Sequence, residues 1–344
     1  MSDWSPITTG HPGQPGTQPL PDPGLGAADP TNWKPWDLPP DIAGQGMLVG
    51  ACGYDFPDWA GRFYPPGRLS HGPAPGNAQS TMKASAREWF PFYQLYFSFL
   101  EIGHTFQQAP LLQYFVELER RSKAAMRFAV KVHRDISHKG IWNAEAGKSL
   151  MRKHAAAVSP LAETGRFHSF LIQMDDGLER DRRILDYLLA TASAAIGEGL
   201  DVHIEFRNRT WHQESVLQSL KDAGVGICNT EIPALPHAFP LKAYATSGKG
   251  YVRYSGLNLA AWQAAEAGNG GSRGSSPSER QRAGNARYGY LYSQAELQER
   301  VRGQLLLLEK TGSVAVAFQN HVGARAALNA WQSIHLLSRR LGPP

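Results

Sequence analysis

Ionisable side chains are concentrated in two short β-rich runs of the sequence. In RFAVKVH, the two-residue period of a strand places Lys131 and His133 on one face. In VHIEFR, the same period places Glu205 and Arg207 on one face. Because burying an unpaired charge is costly, these groups must pair with one another or with a ligand. We therefore take them as the first candidates for a functional site.

Further polar residues lie at or just beyond the ends of other β-rich runs. Glu101 lies near the end of FSFLEIG, Arg253 lies in YVRYS, and Asn320 ends VAVAFQN. Arg134 comes shortly after the run that contains Lys131. If these runs are the parallel strands of a barrel, their carboxyl ends meet at one face, where barrel enzymes carry their active sites. We expect the candidate residues to converge there.

The chemistry that these residue types support is proton transfer combined with charge stabilisation. Glu205 or His133 is the predicted general base, while Lys131 and Arg207 are predicted to hold an anion. Aromatic residues of the neighbouring loops either stack on a sugar or base of the ligand or pack the loops onto the barrel. The candidate catalytic residues are Glu101, Lys131, His133 and Glu205, and the candidate substrate-binding residues are Arg134, Arg207, Arg253, Asn320, Trp59, Tyr64 and Trp211.

The candidate site holds more cations than carboxylates, which favours an anionic ligand. Arginine binds phosphate or carboxylate through its planar fork, and a basic recess concentrates such ligands. The formal charge of +5 for the whole chain points the same way. We expect a phosphorylated or carboxylated small molecule, or a nucleic-acid fragment, bound without a metal ion or other cofactor. The cations are Lys131, His133, Arg134, Arg207 and Arg253, against the carboxylates Glu101 and Glu205.

Two alternatives reinterpret the same residues. Internal salt bridges between Lys131 and Glu205, or between Glu101 and Arg207, would only hold the upper layer of the barrel. A metal-dependent hydrolase or isomerase resembling endonuclease IV would instead bind divalent ions, which Lys131 and Arg207 would repel. The ligands available to such an enzyme are Glu101, His133, Glu205 and either Asn320 or His321.

A third alternative is a non-catalytic protein that binds nucleic acid or acts as an adaptor. Its support is the positive charge of the chain and the segment AEAGNGGSRGSSPSERQRAGNA at 265–286. Because this segment is rich in Gly, Ser and Arg, it is typical of a mobile loop, and its arginines could track phosphates. Whether the protein is an enzyme thus stays open at this point.

The candidate residues must be positioned by a repeating arrangement of strands and helices. Short β-rich runs alternate with longer helical patterns, which predicts parallel βα units. Eight such runs favour a TIM (β/α)8 barrel, with an open doubly wound sheet as the alternative. The Pro-rich stretch IPALPHAFPLKAYA predicts an irregular or missing helix. The strand runs are 47–53, 97–103, 127–133, 170–174, 202–207, 224–229, 251–255 and 314–320, and the helical segments are 84–96, 109–124, 145–163, 180–197, 213–223, 293–311 and 324–340.

The 344 residues suit a single barrel domain with irregular loop insertions. Residues 1–45 are crowded with Pro and Gly and lack apolar periodicity, so we predict a disordered tail there and a barrel domain over 46–342. Trp33 and Trp36 are expected to dock the end of the tail onto the barrel. Within the domain, 265–286 is the predicted mobile insertion.

Several features of the sequence bear on where the protein works. The N-terminus lacks a basic-then-apolar signal pattern, and no apolar run approaches the roughly 18 residues that a membrane helix needs. The two cysteines, Cys52 and Cys228, each end an apolar run and are interpreted as small buried side chains. We expect a cytoplasmic protein without a membrane partner, and the sequence leaves its oligomeric state open.

Eight stretches of the sequence match one known family, in the family's order: VGACGYDFPDWAGRFYPPG, EIGHTF, FAVKVHRDISH, LIQM, EFRNRTW, VRYSGLN, YLYSQAEL and AFQNHVGARAALNA. In these pieces the chain resembles the YecE-like family, also catalogued as domain of unknown function 72. The resemblance implies a TIM-barrel fold and a site at the strand ends, and the family name assigns no reaction. Asp175 and Asp176 stand where the family usually has two prolines.

Overall fold

Eight parallel strands form a closed barrel in which each strand pairs with its neighbours in chain order. The computed structural model describes residues 34–66, 89–140, 142–267 and 284–342. The closed sheet confirms the TIM barrel and excludes the open doubly wound alternative. The strands are β1 (Met47–Cys52), β2 (Phe99–Ile102), β3 (Arg127–Lys131), β4 (Phe167–Gln173), β5 (Val202–Glu205), β6 (Gly226–Glu231), β7 (Gly250–Tyr254) and β8 (Val314–Phe318).

Each predicted strand run overlaps one observed strand, and the differences have a visible cause. The strand β4 begins at Phe167 rather than at the predicted residue 170. Its first residues include His168 and Ser169, which are polar but buried. A prediction based on runs of apolar residues misses them because they are polar. The strand β6 is likewise displaced and ends at Glu231, whose buried side chain is charged.

Helices cover the outside of the barrel at all the predicted segments. The β6–β7 connection, 232–249, has no helix, as its prolines predicted. The short helix after β3 and the helix over 259–266 were not predicted. The helices are α1 (89–96), α2 (Leu112–Arg121), α3 (Arg134–Ser137), α4 (Ala144–Glu163), α5 (Arg182–Ile196), α6 (Glu214–Asp222), α7 (Leu259–Glu266), α8 (Gln294–Thr311) and α9 (Arg325–Leu341).

Helix ends follow local sequence signals. Asn143 caps α4 by accepting a hydrogen bond from the Ala146 amide at 2.9 Å. Ser293 and Glu296 form a capping box at the start of α8. Gly312 ends that helix in the left-handed conformation, at φ 73°, which glycine adopts without steric cost. These signals explain why the predicted helix boundaries lie close to the observed ones.

The barrel interior changes from apolar to polar toward the carboxyl ends of the strands. An inner layer of buried residues includes Phe99, Ala129, Leu171 and Tyr251. Because side chains alternate along a strand, the residues two positions further on face the same interior. The period of two therefore builds a polar layer directly above a mostly apolar one. That polar layer comprises Glu101, Lys131, Gln173, Glu205 and Arg253.

The chain before β1 packs against the barrel. Trp36 is 6% exposed, and its ring centroid lies 5.0 Å from that of Phe63 and 6.1 Å from that of Trp331. Trp36 thus docks as expected, while Trp33 lies outside the described residues. The same is true of residues 1–32, of 67–88, and of 268–283, most of the predicted mobile insertion. In the described part of the chain, no helix combines the length and apolar character needed to cross a bilayer.

Candidate functional site

Arg253 of β7 is the centre of the polar layer in the barrel mouth. Its guanidinium donates to Glu101 of β2 through Nε, at 2.8 Å, and through Nη2, at 2.9 Å. Its Nη1 donates to Gln173 Oε1 of β4 at 3.1 Å and to a carboxylate oxygen of Glu205 of β5. Although burial opposes it, the carboxylates of Glu101 and Glu205 raise the pKa of Arg253 well above its ordinary value. One buried arginine therefore ties together four strands of the barrel.

Glu205 lies between two arginines. Its Oε1 accepts from Arg207 Nε at 2.6 Å, and its Oε2 accepts from Arg253. Burial acts to raise the pKa of Glu205, but the charges of Arg253 and Arg207 outweigh it and lower that pKa to about 2. Both oxygens are thus engaged, and the carboxylate is a weak base. The geometry favours a positioning role for Glu205 over the predicted role of general base.

Lys131 is the cation of this layer that no carboxylate neutralises. Within the described residues it forms no ion pair; its Nζ donates to the neutral amide oxygen of Gln173 at 3.0 Å. The same ammonium lies 3.9 Å from the ring centroid of Phe106. Burial, and then the charges of Arg253 and Arg207, lower the pKa of Lys131 to about 8. Its amine can therefore gain or lose a proton near neutral pH.

The ion pairs differ from those that the sequence suggested. Where the structure describes the chain, neither Lys131 with Glu205 nor Glu101 with Arg207 forms a salt bridge. Arg253 takes the place of Lys131 beside Glu205. Arg207 instead pairs with Glu205 and with Asp176, whose Oδ1 lies 2.8 Å from Nη1. With Asp176 included, the mouth holds as many carboxylates as cations among the described residues, so the expected excess of cations is not found. What the structure shows instead is one cation, Lys131, that has no carboxylate partner there.

Residues that the sequence interpretation missed complete the mouth. Tyr251 donates its hydroxyl to Glu101 Oε2 at 2.5 Å. Its position two residues before Arg253 was the available signal. Asp176 lies in the loop after β4, where no periodicity in the sequence predicts which way a side chain points. His138 contacts the ring of Phe106 at a centroid distance of 4.8 Å, and burial, followed by the charge of Lys131, lowers its pKa.

Three of the predicted polar residues are directed elsewhere. His133 lies beyond the end of β3 and caps α3, its Nδ1 accepting from the Asp135 amide at 3.4 Å. Arg134, the first residue of that helix, is exposed. The side-chain amide of Asn320 donates to Tyr290 O and to Asn329 Oδ1, each at 2.8 Å. Their hydrogen bonds therefore do not join the network of Arg253.

The predicted aromatic ligand contacts are used in packing instead. Trp59, Tyr64 and Trp211 are each 0% exposed. The Trp59 indole donates to His321 O at 2.6 Å, and the Trp211 indole donates to Leu178 O at 2.8 Å. Tyr64 donates its hydroxyl to Tyr54 O at 2.7 Å. No ring face of these residues is open to a ligand, so the packing alternative describes them.

The arrangement also bears on the two remaining alternatives. Among the side chains that the structure describes, no group of three or more His, Cys, Asp and Glu is placed to hold a metal ion. Glu101 and Glu205 present their oxygens to arginines, and His133 and Asn320 are engaged elsewhere, so the ligand set of the metal-dependent alternative is not assembled. The loop that supports nucleic-acid binding lies mostly outside the described residues, and that alternative stays a prediction.

Comparisons with known proteins agree with this architecture. A family model described as "Protein of unknown function DUF72" matches residues 48–343. A DUF72 family protein from Thermotoga maritima MSB8 is 23% identical, with a TM-score of 0.66 over 85% of this chain and 99% of that chain. Another from Enterococcus faecalis V583 is 20% identical, with a TM-score of 0.65 over 85% of this chain and 95% of that chain. No curated protein matches the chain. At these identities the likeness of the structures supports the fold.

Proposed function

This chain belongs to the DUF72 family, whose description supplies no reaction, and we propose from the site itself that the barrel mouth binds an anionic small molecule and that Lys131 transfers a proton to or from it. The observation that carries this proposal is the Lys131 amine, which is half-buried near Arg207 and Arg253 and bonded to an amide rather than to a carboxylate. General acid/base groups work best when their pKa lies near the operating pH. A lysine whose pKa is about 8 meets that condition.

In this proposal the carboxylates position the cations rather than react. Glu205 orients Arg207 and Arg253, since it accepts a hydrogen bond from each. Glu101 fixes Arg253 from the other side and accepts from Tyr251. A rigid set of charges of this kind stabilises charge that develops in a bound molecule without having to reorganise. Lys131 is then the member of the network that is free to change its protonation state.

An anionic ligand follows from the way the charges are paired. Arg253 is satisfied by Glu101 and Glu205, whereas Lys131 has no negative partner among the described residues. An anion that enters the mouth supplies that partner and stabilises the protonated amine. Phosphorylated and carboxylated small molecules, or a nucleic-acid fragment, provide such a charge. We favour the small molecules because the polar layer lies inside the barrel mouth.

The experiment follows proton transfer directly, without knowledge of the natural substrate. The protein is incubated in D2O with a panel of phosphorylated and carboxylated carbonyl compounds, and exchange of the proton next to the carbonyl is measured by NMR. We expect at least one compound to exchange, and we expect Lys131→Met to slow that exchange by about 100-fold or more. The matched control is Lys221→Met, which changes an exposed lysine of α6 and leaves the rate unaltered. Equal rates for Lys131→Met and the wild type, or no exchange for any compound, would overturn the proposal.

A further inference from the structure

A second set of polar groups lies at the edge of the mouth, around the indole of Trp262 in α7. The Arg207 guanidinium carbon lies 5.8 Å from the Trp262 ring centroid, and that of Arg287 lies 5.1 Å from it. Trp262 itself is 0% exposed and packs on Ile232 and Leu235. Two arginines and one indole, from three separate segments of the chain, thus meet beside the functional site.

Each of these three side chains keeps one buried donor that no described residue accepts. The atoms are Arg207 Nη2, Trp262 Nε1 and Arg287 Nε, none of which bonds to a described residue. Buried donors are almost always paired, and leaving one unpaired costs about 1–3 kcal/mol. Three such donors around one ring therefore indicate an acceptor that is not part of the described protein.

The charges point to the nature of that acceptor. Arg287 forms no ion pair with any residue that the structure describes, although it lies against the same indole as Arg207. Asp176 occupies only Nη1 of Arg207, which leaves Nη2 available. Glu205 and Asp176 already neutralise Arg207, so the charge left without a described partner is that of the half-buried Arg287, which an anion can neutralise. A group with several acceptor oxygens suits donors that come from three side chains, and a phosphoryl group has more of them than a carboxylate.

We infer that Arg207, Trp262 and Arg287 form a binding site for the phosphoryl group of a small molecule. The inference deepens the proposed function and rests on it only in assigning this phosphoryl group to the molecule on which Lys131 acts. Arg207 links the two parts, since it belongs to the network of Glu205 and also borders Trp262. Arginine and indole N–H groups are both suited to bind phosphate oxygens as donors.

The test measures binding of inorganic phosphate to the full chain by titration calorimetry. We expect saturable binding that Trp262→Phe and Arg287→Gln each weaken by about tenfold or more, because each removes a hydrogen bond to a charged group. Trp331→Phe is the matched control: it removes an indole N–H of α9 that donates to Asp37 O at 2.8 Å. This control should leave phosphate affinity unchanged.

Thermal unfolding without phosphate supplies a readout that a purely structural role would not produce. Trp331→Phe should lower the melting temperature because it leaves Asp37 O without its donor. Trp262→Phe removes the same ring volume but no hydrogen bond to a described residue, so it should lower the melting temperature less than Trp331→Phe does. The inference is overturned if wild-type protein shows no saturable phosphate binding, or if neither site variant weakens it.

The two proposals fail separately. If phosphate binds as expected but Lys131→Met leaves proton exchange unchanged, the phosphoryl site stands and the role of Lys131 does not. If Lys131→Met abolishes exchange but Trp262→Phe and Arg287→Gln leave phosphate affinity unchanged, the role of Lys131 in proton transfer stands and the phosphoryl site is wrong.

Discussion

Arg253 and Glu101 face each other across the barrel mouth and are joined by two hydrogen bonds, from Nε to Oε2 at 2.8 Å and from Nη2 to Oε1 at 2.9 Å. The side chains are 1% and 2% exposed, so water compensates neither charge. A bidentate pair of this kind fixes the plane of the guanidinium and hence the direction of its remaining Nη1. The bond thereby sets the position of Glu205 as well.

Removal of one partner of this pair should destabilise the protein strongly. Glu101→Gln leaves the Arg253 charge buried with one carboxylate fewer, and we expect the free energy of unfolding to fall by about 3–5 kcal/mol. Urea denaturation followed by circular dichroism measures the change. The comparison variant is Asp186→Asn, which breaks an exposed pair with Arg182 whose side chains are 54% and 73% exposed. Asp186→Asn should lower the free energy of unfolding by less than about 1 kcal/mol. Similar losses for the two variants would show that the buried pair does not have the role described.

Lys131→Met should stabilise the protein near neutral pH. Folding lowers the pKa of Lys131 from its ordinary 10.5 to about 8. Below pH 8 the folded protein therefore holds a poorly solvated charge, which lowers its free energy of unfolding. As pH rises from about 8 to 10.5, the folded protein releases this proton before the unfolded chain does, and that loss of stability disappears. The variant should therefore be more stable than the wild type at pH 7, and its advantage should shrink toward pH 10.5.

Chemical denaturation of both proteins across this pH range measures the difference, with Lys221→Met as the control that shows no such trend. A constant difference between Lys131→Met and the wild type from pH 7 to 10.5 would argue against the lowered pKa and would weaken the proposed function.

His203 should make the barrel sensitive to acid. It lies in the barrel interior below Glu205, 0% exposed, with its ring centroid 5.6 Å from that of His168. Burial lowers the pKa of His203 from 6.5 to about 4, so the unfolded chain binds the proton first. The stability that neutral His203 contributes is complete above pH 6.5 and is lost as pH falls from there to about 4.

His203→Gln should therefore flatten the fall in the free energy of unfolding between pH 6.5 and 4. The control is His237→Gln, a histidine whose side chain is 33% exposed and which contacts Glu266. That control should leave the slope as in the wild type. If His203→Gln loses stability with acid as steeply as the wild type, the acid response belongs to other groups.

Periodicity along single strands was sufficient to predict much of this protein. It predicted the eight strands and, through alternation, the shared face on which Lys131 and then Glu205 lie in their strands, while position near a strand end added Glu101 and Arg253. Those predictions succeed because side-chain direction in a strand depends on residues that are adjacent in the sequence. The same reasoning failed for His133, because β3 ends at Lys131 and the chain turns into α3.

The partners of the charges were decided only by the tertiary structure. Arg253 could meet Glu101 and Glu205 only once the barrel had closed, because those residues lie on strands that the sequence separates widely. Trp262 lies in α7, a helix that no pattern in the sequence predicted. Sequence alone thus determined the fold and four of the five residues of the polar layer, all but Gln173. Tertiary structure decided that, among the described residues of this layer, Lys131 is the cation left without a carboxylate. Pairing depends on distances between strands and loops rather than on the local period.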